Sequence, residues 1–286
     1  MFRKKLLPYI ICDRRFIKEQ WKLTMDYPLD LRNPRSFNEK LNWLKLNDRR
    51  PEYSMMVDKY LVKDYVAGII GKEYIIPTLG VWDRPEDVDF DALPQRFVLK
   101  CNHNSGLGMV ICRDKSSLDR EAALEGLRKG LAQNYYRCQR EWPYKNVRRR
   151  IIAEEYLEDD ASGSLPDYKF FCFDGEVMAL FIATGREKGE EATRFDFFDA
   201  EFRHLPFTNG HPNADVTPSR PECFEEMKSL AAKLSAGLPC VRVDLYQCNG
   251  KVYFGELTFS HWAGFKPFVP REWDYTFGSW IKLPEK

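Results

Sequence analysis

The residues with the most chemical promise lie in Val241-Arg-Val-Asp-Leu-Tyr-Gln-Cys-Asn-Gly-Lys-Val-Tyr-Phe-Gly-Glu-Leu-Thr258. Two β-rich runs flank Asn249-Gly250, a strong hairpin signal. Strand side chains alternate with period two, so Arg242 and Asp244 share one face, and Glu256 and Thr258 share one. An odd loop, of three residues around Asn249–Lys251, sets Asp244 opposite Glu256. A two-residue loop sets Gly255 there and turns Glu256 to the other face. Two facing carboxylates repel unless a cation lies between them. With Arg242 beside them, they read as a place to hold a divalent metal and a polyphosphate.

Two lysines could serve the same anion. Lys100 ends the apolar run Phe97–Lys100, just before the loop Asn102-His-Asn-Ser-Gly-Leu-Gly108. An ammonium is a compact counter-charge, and glycines let backbone N–H groups approach phosphate oxygens. No Gly-Lys-Ser/Thr is present, so this is not a Walker loop. Lys169 offers a second cation from Tyr168–Phe173. Glu154-Glu-Tyr-Leu157 ends a strand, where exposed backbone can read an adenine edge. A carboxylate a few residues on can bind ribose hydroxyls. Each feature alone has a plainer reading: a snorkelling lysine, an ordinary turn, a solvated acidic edge. His103 and His261 have no second His or Cys at ligand spacing, which argues against zinc. No Gly-x-Ser-x-Gly elbow or Cys/His pair marks a covalent nucleophile. Tyr135–Lys145 with Arg148-Arg-Arg150 reads as a basic surface.

These residues need elements to hold them. Ser36-Phe-Asn-Glu39 is a capping box that starts a helix over 36–47. A single helix is expected over 51–70, from Pro51 to Gly71. Strands are expected over 74–82, 97–101, 109–112, 151–157, 168–173 and 177–183, the last two joined by Asp174-Gly175. Helices are expected over 120–135 and 222–236, the latter burying Met227, Leu230, Ala231 and Leu234. The 185–194 stretch is polar and reads as a mobile loop. Turn-linked strands among helices indicate an α+β protein with antiparallel sheets.

Composition narrows the class. The chain has 286 residues, 44% apolar and 30% charged, enough for a sizeable globular core. Lys and Arg (44) nearly balance Asp and Glu (43), which argues against a nucleic-acid partner. Eight cysteines without a Cys-x-x-Cys pair suit buried thiols in a reduced, cytoplasmic protein. The start, MFRKKLLPYIIC, is broken by Pro8 and lacks a small-residue cleavage site, so no signal peptide is expected. No segment is long enough to span a bilayer. Oligomeric state is not legible.

Taken in order, Asp58-Lys59, Lys100 with its glycine loop, Glu-Glu-Tyr-Leu, Asp167-Tyr-Lys169 and Arg242-x-Asp…Glu-x-Thr258 resemble an ATP-grasp enzyme. The phrases Ser36–Lys45, Phe97–His103, Glu141–Lys145, Asp167–Gly175, Val241–Tyr246 and Phe254–Phe259 resemble, more narrowly, the TupA-like family of bacterial polysaccharide gene clusters. The resemblance implies two α+β lobes clasping ATP and Mg²⁺, with a helical extension over 1–50 and lobes over about 51–150 and 151–286. It implies that Lys100, Lys169 and Lys59 contact phosphates, and that the 102–108 loop, with His103, Ser105 and Gly106, closes over the γ-phosphate. Glu154, Glu155, Tyr156 and Leu157 would line the adenine pocket, and Asp167 would bind ribose. Asp244, Glu256 and Thr258 would hold Mg²⁺, although many such enzymes carry Asn in place of Thr258. Arg242 would steady the transferred phosphoryl group and the acyl phosphate. Acceptor recognition would fall to the aromatic tail (Trp262, Phe265, Phe268, Trp273, Trp280). The implied activity is ligation of a small-molecule or sugar carboxylate to an amine, for example an amino acid to a uronic acid. Alternatives are a glycosyltransferase-like protein or a non-catalytic nucleotide-binding protein of the same pathway.

Overall fold

A computed structural model describes residues 11–160, 165–186 and 189–285. The first ten residues, the middle of the 158–166 loop and part of the 185–194 loop lie outside the described residues. Two antiparallel sheets organise the chain. The smaller runs β1 (Thr78–Trp82), β4 (Ile151–Glu155), β2 (Phe97–Cys101), β3 (Val110–Cys112). The larger runs β7 (Arg194–Asp199), β6 (Glu176–Thr184), β5 (Asp167–Phe173), β8 (Val241–Cys248), β9 (Lys251–Thr258). Strand β7 falls just beyond the polar loop, and the sequence reading missed it. Its Phe195 and Phe197 alternate with Asp196, a pattern consistent with a strand.

Each face of the larger sheet has its own cover. Phe170, Leu180, Val243 and Leu245 pack on α7 (Phe224–Ser235), where Met227, Leu230, Ala231 and Leu234 are buried as expected. Helices α3 (Glu52–Val57) and α4 (Val62–Ile70) complete that core through Tyr53, Met56, Val62 and Val66. The expected single helix is two, because Asp58 leaves the helical conformation (ψ 108°) and its carboxylate accepts the N–H groups of Tyr60 and Leu61. That break carries Lys59. On the opposite face, Phe171, Phe181 and Phe197 meet α2 (Phe37–Asn47) and α8 (Glu272–Trp280) through Phe37, Leu41 and Phe277. α1 (Asp13–Thr24) joins a cluster with Trp43 and Phe265. Packing therefore does not break at residue 50, and 52–70 covers the larger sheet rather than the smaller.

The capping box does more than start α2. Ser36 and Glu39 cap it reciprocally. Asn38 holds the buried Asp274 of α8 with its backbone N–H at 3.0 Å and its amide at 2.9 Å. Asn42 donates to the Gly264 carbonyl at 2.7 Å, and Lys45 to the Ala263 carbonyl at 2.7 Å. At spacing i, i+4, i+7 these polar residues share one helix face. They fix the 262–264 turn, where Trp262, Ala263 and Gly264 all have positive φ (47°, 53°, 71°). Two consecutive non-glycine residues in that region are strained, and such strain concentrates at functional sites.

Candidate active site

The hairpin register is the first determinant of the site. Asn249 and Gly250 both have positive φ (50° and 73°), and Cys248 pairs with Lys251, so the loop holds two residues, not three. Asp244 nevertheless faces Glu256. A β-bulge supplies the missing odd residue: Asp244 pairs with Glu256 but Leu245 pairs with Phe254, leaving Gly255 extra. A Cβ at Gly255 would sit 2.9 Å from the Tyr246 ring and 3.0 Å from the Asp244 carbonyl, so the bulge requires glycine. Lys169 pairs with Asp244 on the other side. A row Lys169–Asp244–Glu256 therefore crosses three strands, with Arg242 and Thr258 in the next row.

In this row charge is matched closely. Asp244, 1% exposed, receives Lys169 and both Nε (2.6 Å) and Nη2 (2.8 Å) of Arg242. Glu256 lies 3.2 Å from Lys59 and 3.5 Å from Arg242. Asp167 takes Lys169 and Arg186, each at 2.6 Å, through Oδ2. Three carboxylates thus meet four cations, a surplus that suits an anion. Burial raises the Glu256 pKa, yet Lys59, Lys169 and Arg242 together hold it well below the usual carboxylate range. Thr258 accepts from Arg242 Nη2 at 3.0 Å and donates to Glu256 at 3.2 Å, so its hydroxyl positions those two groups. His261 is buried, and burial with Arg242 and Lys169 nearby keeps it neutral. Its Nδ1 accepts from Arg242 Nη1 at 2.8 Å and its Nε2 donates to Asn209 at 2.9 Å.

Lys169 and Glu256 of this row line a cavity of about 560 Å³, with Asp244 buried behind them. Lys169, Arg242, Glu256 and Thr258 form one wall, and Ser105 brings the glycine loop to it. The loop is anchored: Asn104 donates to the Leu107 and Gly130 carbonyls at 3.0 and 3.3 Å. Gly108, at φ 79°, lies against the Gly126 backbone of α5 (Arg120–Ala132), where a Cβ would collide. Lys59 ties loop to carboxylate, donating to the Asn104 carbonyl at 2.8 Å while pairing with Glu256.

A sequence profile described as TupA-like ATPgrasp matches residues 39–282. The chain belongs to the TupA-like ATP-grasp family. No functionally curated protein matches the sequence. Among solved structures, a D-alanine–D-alanine ligase from Bacillus anthracis is 17% identical, with 72% of this chain and 57% of that chain covered and a TM-score of 0.40. The corresponding enzyme from Helicobacter pylori is 14% identical (86% and 69% covered, TM-score 0.45). The ATP-grasp ligase PsnB, with precursor variant, Mg and ADP, is 14% identical (79% and 59%, TM-score 0.40). The chain spans less than two thirds of the B. anthracis enzyme.

Other expected site residues of this TupA-like ATP-grasp chain lie away from the cavity lining. Lys100 and Lys63 clasp the buried Glu154 at 2.5 and 2.7 Å. Burial raises the Glu154 pKa, but the two lysines pull it below the ordinary range. The Glu155 N–H donates to the Pro77 carbonyl. The Tyr156 hydroxyl lies between Arg113 (3.0 Å) and Glu158 (3.1 Å), and Leu157 follows beyond the strand end. His103 is buried with Nε2 on the Gln133 carbonyl, and Gly106 is open to a side chain in space but not in φ (79°). Of the tail aromatics, Trp262 lines the cavity; Phe265 and Phe268 are buried, and Trp273 and Trp280 pack on the Phe277 core. An acidic Asp87-x-Asp-x-Asp91 run is engaged elsewhere: Asp87 pairs with Arg84, Asp89 caps its own turn and Asp91 pairs with Arg120. Among the described residues no helix is long and apolar enough to cross a membrane, and all eight cysteines are free.

Two features bear on nucleotide and metal. Asp167 Oδ1 is buried without a hydrogen-bond partner among the described residues, an acceptor suited to a hydroxyl donor. No group of three or more His, Cys, Asp or Glu forms a metal site among the described residues. The Asp244–Glu256 pair fits Mg²⁺ when phosphates and waters complete an octahedron.

Proposed function

We propose that the chain is an ATP-dependent carboxylate–amine ligase that forms an amide through an acyl phosphate, in bacterial surface-polysaccharide or teichuronopeptide assembly. The observation that carries this reading is the convergence of Lys59, Lys169, Arg242, Asp244 and Glu256 beside one cavity, with the Asn102–Gly108 loop at its edge. Asp244 and Glu256 would hold Mg²⁺, which neutralises phosphate charge when bound. Arg242, braced by neutral His261 and by Thr258, would present its guanidinium to the transferred phosphoryl group and then to the acyl phosphate. Lys169 and Lys59 would meet phosphate oxygens, exchanging internal carboxylate partners for ligand ones. Asp167 would accept a ribose hydroxyl at Oδ1. The Glu154 carboxylate is held by two lysines, so adenine recognition would fall to backbone and side chains at 155–157, with Lys100 reaching phosphate from the Glu154 cluster. Arg242 and the surplus cations can also orient a sugar carboxylate, which suits a uronic acid.

ADP release measured with uronic acids against amino acids tests the reading. Release that requires both a carboxylate and an amine supports it; ATP binding without turnover in any pairing favours a non-catalytic nucleotide-binding protein. Turnover that survives Asp244→Asn would remove the metal assignment.

A further inference from the structure

The cavity has a second charged wall, built by a segment whose sequence suggests only a basic surface. Arg140, at φ 58°, ends α6 (Tyr135–Gln139). Glu141 then lines the cavity together with Tyr135, Gln139 and Tyr144. Glu141 is only 5% exposed and opens into the cavity, and among the described residues its carboxylate makes no hydrogen bond and no ion pair within 4 Å. The buried Lys45 acts on it only through space, since its Nζ is engaged by the Gln139 and Ala263 carbonyls at 3.0 and 2.7 Å. Gln139 adds an unmet acceptor, because its buried Oε1 lacks a donor among the described residues. Buried carboxylates without donors are costly and are retained where a ligand completes them.

The chemistry of that ligand follows from the wall. It must bring N–H donors and positive charge, which an ammonium does. Arg242 and Lys169 line the same cavity, where the acyl phosphate of the ligase reading would lie. We propose that Glu141 receives the ammonium group of the amine substrate and takes a proton from it, an assignment that rests on the ligase reading above. The free amine nitrogen forms the C–N bond at the acyl carbon. The C–O bond to phosphate breaks, and the second proton lost from nitrogen leaves with hydrogen phosphate, so Glu141 ends protonated and the amide neutral. Burial pushes the Glu141 carboxyl up to about 7, against the pull of Lys45 and Arg242, which suits a base working near neutrality.

Hydroxylamine separates this role from the rest of the reaction, because it is uncharged at neutral pH and needs no base to attack an acyl phosphate. The wild-type protein and Glu141→Gln are compared with ATP, Mg²⁺ and glucuronate or galacturonate, using either hydroxylamine or a panel of amino acids. Glu141→Gln should lose ~100-fold or more in amide formation while hydroxamate formation stays within about threefold of wild type. Wild-type kcat/KM for the amino acid should fall as pH drops through about 7, with hydroxamate formation unaffected by that titration. Equal losses in both products, or no loss in either, would overturn the role of Glu141 while leaving the ligase reading intact. Absence of hydroxamate from the wild-type protein with every uronic acid would instead overturn the ligase reading, and the proposal with it.

Discussion

Two walls of one cavity treat charge in opposite ways. On the Arg242 wall every carboxylate has a cation: Asp244 holds Lys169 and Arg242, Glu256 holds Lys59, and Asp167 holds Lys169 and Arg186. On the Glu141 wall the carboxylate of a residue only 5% exposed makes no hydrogen bond or ion pair among the described residues. The first arrangement is self-sufficient and can exchange internal pairs for a metal and phosphates. The second is incomplete until a cation arrives. A paired cluster holds its geometry before the ligand binds, whereas an unpaired group destabilises the free protein and favours the bound one.

Mutations should separate the walls. The largest effect belongs to Arg242→Ala, which removes the guanidinium from Asp244, Glu256, Thr258 and His261 together. ADP release should fall ~10³-fold, as for loss of one preorganised charge-stabilising donor; a loss under tenfold in a coupled assay would detach Arg242 from the chemistry. Next comes Gly255→Val, which fills the bulge against Tyr246 and the Asp244 carbonyl. It should destabilise the protein by about 3 kcal/mol in urea denaturation through overpacking and backbone strain. An unchanged midpoint would show that the bulge does not need glycine.

The Glu141 wall predicts the opposite sign. Its carboxyl is raised on folding, so between its unfolded value and about 7 the native state binds the extra proton, and stability falls as pH rises through that window. Glu141→Gln should therefore favour the folded protein more at pH 8 than at pH 5, read as the shift in urea midpoint between the two pH values, with the loss of the Glu141 charge beside Lys45 working against that gain. An equal shift at both pH values would mean the carboxylate has a partner. The smallest effect expected is for Trp262→Ala. This side chain is 40% exposed at the cavity rim, and its loss should weaken sugar-carboxylate binding by about 1 kcal/mol, read as KM with kcat little changed.

Much of the fold was legible because it depends on neighbours a few residues apart. The α2 capping box, the buried stripe of α7 and the Asp174-Gly175 turn are local patterns, and the structure contains each. The 51–70 helix was misread because Pro51 and Gly71 mark its outer ends, whereas the interruption at Asp58 comes from a side chain capping its own backbone. Strand β7 was hidden behind a polar stretch. In the candidate site, alternation and charge single out Arg242, Asp244 and Glu256, and the structure brings Lys169 beside Asp244. Glu141 is not legible as a site residue, since nothing in Glu-Trp-Pro-Tyr-Lys says which side chain turns inward.

The sequence by itself determined which residues share a strand face and where the chain reverses, because side-chain alternation and left-handed turn residues act over a few positions. It did not determine that Asp244 and Glu256 would meet. Counting from a two-residue turn puts Gly255 opposite Asp244; the bulge moves Glu256 into place. Tertiary structure also decided which cations pair with which carboxylates, and that Glu141 forms no ion pair among the described residues. Those outcomes depend on how closely separate segments approach once both sheets are covered, and no short stretch of chain encodes that distance.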